Sequence, residues 1–340
     1  MTSRSRVCVL HVGGTIGMTR DATGAYVPQP GFLESYLERM PELELEYLPE
    51  IDVVTLDPLL DSAEMRPKDW IRIAECIASR HEDYDGFVVV HGTDTMAYTA
   101  SALSFLIEGL QKPVILTGAQ LSLAHPRSDG REHVITSLVL AGRSKLAEVA
   151  IYFASNLLRG NRAQKVHNRD FVAFSSGNLP PLARVGVHVD WREHLLLTPT
   201  ARPSRVIPIS REPEVAAIRL FPGMGPNMLA KMLEAPLDAV VLETYGAGNA
   251  SRDPAWIGVI ERAVRERDLV VVNCSQCHGG AVSQQDYGTG ATLAAAGVVS
   301  GRDMTPEAAL TKLYCLLARG YTPSEVREAV GRSLAGELSE

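Results

Sequence analysis

No run of roughly eighteen apolar residues occurs in this sequence, so it predicts no membrane-spanning helix. It has no excess of basic residues either. Lys and Arg number 33 against 40 Asp and Glu, and the resulting net charge of −7 argues against a general nucleic-acid-binding surface. Cysteine is scarce. The five present, Cys8, Cys76, Cys274, Cys277 and Cys315, are odd in number and scattered, which points to a reducing, cytoplasmic setting rather than a disulfide framework. The amino-terminal stretch "MTSRSRVCVLHVGG" is too poor in apolar residues for a signal-peptide core, and no cleavage pattern follows. Internal repeats and low-complexity tracts are also missing.

What is present is a chain of 340 residues, 46% hydrophobic, long enough for about two domains with substantial cores. Strand-like runs alternate with helix-like segments. Val7–His11, Phe87–Val90, Pro113–Thr117 and Val149–Ala154 read as strands. Asp69–Ser79, Met96–Leu110 and Glu132–Ala141 read as helices. Such alternation predicts an α/β fold with a parallel sheet. Across 191–213 the period is lost among several prolines, so a linker is expected there, between domains spanning 1–190 and 214–340. A second alternation follows: strands at Val215–Leu220, Ala239–Leu242 and Leu269–Asn273, helices at Asn227–Glu234 and Pro254–Arg267, then helices near 291–296, 306–318 and 322–331.

Four stretches carry chemistry-bearing residues. In "FVVVHGTDTMAYTASALSFL" a continuous apolar strand runs into His91-Gly92-Thr93-Asp94-Thr95, and helical spacing starts at Met96. Thr93 and Asp94 therefore lie where a strand ends and a helix begins, the usual ligand position of an open α/β sheet. The plainer reading is a helix N-cap, which also favours Thr and Asp. The second stretch, "VCVLHVGGTIGM", has Gly13, Gly14 and Gly17 after a strand, but it lacks the spacing of a dinucleotide fingerprint. The following "TRDATGAYVPQPG" allows no helix before about residue 31, so dinucleotide binding is not expected. A glycine-hinged mobile loop carrying Thr15 and Tyr26 is the better description. The third is Lys165 in "LRGNRAQKVHNRD". It is ordinary solvated surface unless it packs against Thr93 or Asp94, where it could act as a base. The fourth, "NCSQCHGG", spells a haem-attachment sequence without the secretory context and a zinc half-site without a second ligand pair. Cys274 and Cys277 are expected to be buried small residues at a strand end.

Taken together, Gly13-Gly14-Thr15-Ile16, "HGTDTM" at 91–96, Lys165 and "YGAGN" at 245–249 resemble the bacterial L-asparaginase family, most closely its cytoplasmic, type I branch. The resemblance runs from about Val7 to about Leu334. It implies a two-domain asparaginase-like fold, with a larger amino-terminal parallel-sheet domain carrying most of the site and a smaller carboxy-terminal α/β domain. It also implies a homotetramer built as a dimer of dimers. Thr15 matches the nucleophilic threonine and Tyr26 the residue beside it on the loop. Ser62, with Ala63 after it, matches the segment that holds the substrate's α-carboxylate. Thr93, Asp94 and Lys165 match a second catalytic group, and Asn249 a residue that reaches a neighbouring subunit's site. The sequence departs from the family at Val12, usually Thr, and at Ala63, usually polar. The second change bears on substrate affinity rather than chemistry.

The chemistry suits these residues. An amide is a poor electrophile, so its hydrolysis is divided through an acyl-enzyme. Thr15 would attack, with Tyr26 accepting its proton. Thr93, at a helix N-terminus, would favour the oxyanion and orient the deacylating water. Asp94 would pair with the substrate's α-ammonium, and Lys165 would tune Asp94 and Thr93. No metal or organic cofactor is expected. A pocket separates asparagine from glutamine, one methylene longer, by only about 1–3 kcal/mol, which leaves room for minor glutaminase activity. Two alternatives stand beside this reading. One is the amidase subunit of a tRNA amidotransferase, which normally carries an extra amino-terminal module, whereas the first strand here is expected from Val7. The other is a ligand- or nucleotide-binding α/β module without chemistry.

Overall fold

Continuous β-branched runs can be buried on both faces only in the middle of a covered sheet, and that is where they lie. In the computed structural model, which describes residues 4–143, 145–234, 236–284 and 288–339, the chain divides into two compact units between Val206 and Ile207.

The first unit is built on an eight-stranded sheet. Five strands are parallel, in the spatial order Glu50–Leu60, Arg6–Gly13, Gly86–Val90, Val114–Thr117, Val149–Phe153. Asn156–Arg159, Ala183–Val185 and Val189–Trp191 then extend the sheet antiparallel. Gly86–Val90 is fully buried, as expected of a central strand. Helices Pro67–Ala78, Met96–Leu106 and Gly130–Arg143 provide crossovers. Chain order along the parallel strands reverses beside Arg6–Gly13, so the crevice at the carboxyl ends of Arg6–Gly13 and Gly86–Val90 is a topological switch point, the preferred ligand position in such sheets.

Several elements differ from the sequence reading. Glu50–Leu60 carries Pro58 and many exposed residues, so it lacks a buried-strand signature; it forms the edge strand, where proline is tolerated. The helix expected over Met96–Leu110 ends at Leu106, because Ile107–Glu108 pairs antiparallel with Arg205–Val206. That helix is buried around most of its surface, with Ala100 packed under Gly160.

The second unit holds a four-stranded parallel sheet in simple sequential order: Val215–Arg219, Ala239–Thr244, Val270–Ser275, Val299–Ser300. Apolar clusters line both its faces. One is centred on Trp256, Ile260 and Leu229, the other on Leu313, Leu317 and Val326. Lys312, wholly buried, donates to Glu337 Oε1 at 2.5 Å and to the carbonyls of Val330 and Arg332, pinning the carboxy-terminal segment to helix Pro306–Ala318. Among the described residues no helix is long and apolar enough to cross a membrane.

Candidate active site

The site starts from two loops that leave adjacent strands. At the end of Arg6–Gly13 the register slips between His11 and Gly13, so that Gly13 pairs with Leu60. Gly13 and Gly14 adopt φ of 134° and 91°, and a Cβ on Gly13 would lie 2.1 Å from the Leu60 carbonyl oxygen. Only glycine fits there. A Cβ on Gly14 would lie 2.4 Å from Gly92 Cα. The glycines therefore let the two backbones touch, and Gly14 and Gly92 are each followed directly by a threonine, Thr15 and Thr93.

Thr15 opens a short 3-10 turn, Thr15–Gly17. A hairpin follows, Met18–Arg20 against Tyr26–Pro28. The next helix begins at Phe32, in keeping with the expectation that none could start before about residue 31. Tyr26 is half-buried. No hydrogen bond joins it to Thr15; its ring lies under the Arg20 guanidinium, 4.6 Å from the centroid.

The second loop is fastened from several sides. Lys165 Nζ donates to Thr93 Oγ1 at 2.8 Å and to Asp94 Oδ1 at 2.5 Å. Lys165 lies on the short strand Gln164–Lys165, paired with Phe174–Ser175, and its side chain is mostly buried, so it is not solvated surface. Thr93 is nearly buried, whereas the Asp94 carboxylate is largely open to solvent. Because the ammonium donates to Thr93 Oγ1, the threonine's own proton is left to point elsewhere.

The N-cap reading is corrected by the structure. The residue at the cap is Thr95, and its side chain makes no cap bond. Its hydroxyl donates instead to the Ser62 carbonyl at 2.7 Å. Ser62 is buried in the 3-10 turn Ser62–Glu64, which Asp61 caps by accepting from Ala63 N–H. A Cβ on Gly92 would lie 2.5 Å from Ser62 Oγ, so this turn abuts the Gly92–Thr93 backbone, and Ala63 beside it is exposed. The first unit thus brings together the loops of Thr15, Ser62–Ala63 and Thr93–Asp94, with Lys165 on the last. Asn249 belongs to the second unit, in a turn closed by backbone bonds in both directions between Tyr245 and Asn249.

Two residues escaped the sequence reading: His91 and its partner Thr99. His91, fully buried, contacts Gly92 O through Nδ1 at 2.7 Å and Thr99 Oγ1 through Nε2 at 2.9 Å. Burial pushes its pKa down to about 4. Histidine is an odd ending for an apolar strand, and Thr99 two helical turns on was the only available signal. The "CSQCH" expectation is half corrected: Cys274 is buried at the end of its strand, but Cys277 is exposed. None of the five cysteines is in a disulfide, and no three His, Cys, Asp or Glu side chains among the described residues are grouped to hold a metal ion.

The family model described as "Asparaginase, N-terminal" matches residues 6–197, and that described as "Glutaminase/Asparaginase C-terminal domain" matches residues 214–330. The chain is 43% identical over 340 residues to L-asparaginase 1 of Escherichia coli, covering 99% of this chain and 98% of that one. The crystal structure of L-asparaginase I from Vibrio cholerae superposes with a TM-score of 0.91 at 41% identity, covering 99% of this chain and all of the other. A more distant relative, a glutamyl-tRNA(Gln) amidotransferase subunit of Methanopyrus kandleri, is 38% identical over 98% of this chain and 74% of its own length. By both family models and by full-length identity, the chain belongs to the asparaginase family.

Proposed function

We propose that the chain is an L-asparagine amidohydrolase that converts free L-asparagine to L-aspartate and ammonia through a threonyl ester. The observation that carries this reading is the bridge from Lys165 Nζ to both Thr93 Oγ1 and Asp94 Oδ1, set at the switch point against the Gly14–Thr15 loop. Thr15 Oγ1 attacks the side-chain carboxamide carbon, with Tyr26 as proton acceptor once the hairpin closes on substrate. The C–N bond breaks and ammonia leaves with a proton. Water oriented by Thr93 then cleaves the ester. The open Asp94 carboxylate receives the substrate's α-ammonium, and Ser62 with Ala63 receives its α-carboxylate. Asn249 completes a neighbouring subunit's site in a cytoplasmic homotetramer, a dimer of dimers. No metal or organic cofactor takes part.

The likeness to the tRNA amidotransferase component supports a second reading on the same site, in which the ammonia serves a tRNA-bound substrate. Ammonia release from free L-asparagine and L-glutamine, with and without EDTA, separates them. The proposal expects turnover with asparagine alone, little with glutamine, and no effect of the chelator. Absence of turnover on free L-asparagine overturns it.

A further inference from the structure

We propose that His91 is a positioning residue that fixes which way the Gly92–Thr93 peptide faces. This rests on the amidohydrolase reading above. Gly92 must be glycine, since a Cβ there would collide with Ser62 Oγ at 2.5 Å. Glycine, however, leaves its backbone dihedrals free, and the peptide that follows it can turn over. The imidazole removes that freedom. The strand holds His91 by its own N–H, which donates to Thr117 O at 2.9 Å. The ring then folds onto its neighbour, with Nδ1 2.7 Å from Gly92 O.

The protonation state follows from the partners. A carbonyl oxygen only accepts, so Nδ1 carries the hydrogen. Nε2 is then the lone-pair nitrogen, and Thr99 Oγ1–H donates to it at 2.9 Å. Burial that drives the ring's pKa to about 4 keeps it in this single neutral tautomer at neutral pH. In a planar trans peptide the carbonyl and the next N–H point in opposite directions. Tying Gly92 O to the buried ring therefore turns the Thr93 N–H the other way, and that N–H has no hydrogen-bond partner among the described residues. A flipped peptide would place a carbonyl oxygen there instead and repel a developing oxyanion.

The test compares two substitutions that keep different halves of the ring. His91→Asn puts an amide N–H near the Nδ1 position, and His91→Gln reaches only toward the Nε2 position. Turnover and KM for L-asparagine are measured with the melting temperature of each variant. The wild-type protein is assayed first, so that failure of the amidohydrolase reading itself is seen before any variant is made. The expected result is that H91N keeps turnover within about tenfold while H91Q loses on the order of a hundredfold or more in kcat, with KM little changed. Equal kcat in the two folded variants, or losses that follow melting temperature alone, overturns the proposal. Should H91Q not fold, nitrogen-15 NMR of histidine in the wild-type protein decides: hydrogen on Nδ1 supports the assignment, hydrogen on Nε2 overturns it.

Discussion

The two threonine-bearing loops leave neighbouring parallel strands, and they are held in opposite ways. Each strand ends near a buried histidine. His91 has both ring nitrogens hydrogen-bonded, to Gly92 O and Thr99. His11, equally buried and paired in register with Val90, has neither among the described residues, and Glu34 Oε1 lies 3.8 Å from its Nδ1. A buried polar group without a partner costs about 1–3 kcal/mol, while each bond made contributes about 0.5–1.5 kcal/mol. The Thr93 loop is therefore tightly seated, by His91, Lys165 and the Thr95–Ser62 contact. The Thr15 loop passes through a three-residue turn into a hairpin with exposed residues at its tip, and Gly17 packs directly on the His11 ring. In the proposed mechanism this difference becomes a division of labour, with the seated Thr93 loop receiving charge and water and the Thr15 loop carrying the nucleophile on a segment that closes over substrate.

The most drastic way to break the comparison is to remove each hydroxyl in turn. Thr15→Ala and Thr93→Val should each reduce asparagine turnover by several orders of magnitude while leaving the melting temperature within a few degrees, because each sits in a loop at the carboxyl end of a strand rather than in the apolar core. Near wild-type activity in either variant contradicts the assignment.

A smaller effect sharpens the fixed side. Lys165→Met should abolish most turnover, since Thr93 and Asp94 both lose their shared donor. Combined with Asp94→Asn, the loss should fall well short of the product of the two single losses, because residues acting as a unit are non-additive. Losses that multiply would mean that the pair acts independently.

The smallest effect concerns stability in acid. Burial holds the pKa of His91 near 4 and lowers that of His11, with Glu34 partly opposing the latter shift. The unfolded chain takes up these protons near pH 6.5 and the folded chain resists them. Stability is then fully present above about 6.5 and lost as pH falls toward about 4, by about 3 kcal/mol for His91 alone. Denaturant titrations at pH 7 and pH 4.5 should show that loss, reduced in H91N. Equal stability at the two pH values would contradict the burial account.

Much of the fold was legible because the runs Phe87–Val90, Pro113–Thr117 and Leu269–Asn273 announce covered parallel strands by composition, and strands Gly86–Val90, Val114–Thr117 and Val270–Ser275 form there. Glu50–Leu60 did not, since an edge strand with Pro58 leaves many of its residues in solvent. The antiparallel pairs after Phe153 were hidden for a similar reason: their turn places Ala154 and Ser155 at positive φ without a glycine to mark it. At the site, the strand-to-helix junction at Thr93 could be read from the change of period. The direction of the Thr95 hydroxyl could not, because its partner, Ser62 O, lies 33 residues back in the chain. The ring bonds of His91 were hidden likewise, since sequence does not say which way a buried imidazole turns.

In the proposed mechanism Thr15 takes the acyl group while Thr93 stays free to serve the water. Acid quenching of the wild-type enzyme during steady turnover of L-asparagine, followed by peptide mass spectrometry, tests it directly. The expected result is a mass gain of one aspartyl group, as an ester, on the peptide containing Thr15. An ester on the peptide containing Thr93 instead would contradict it.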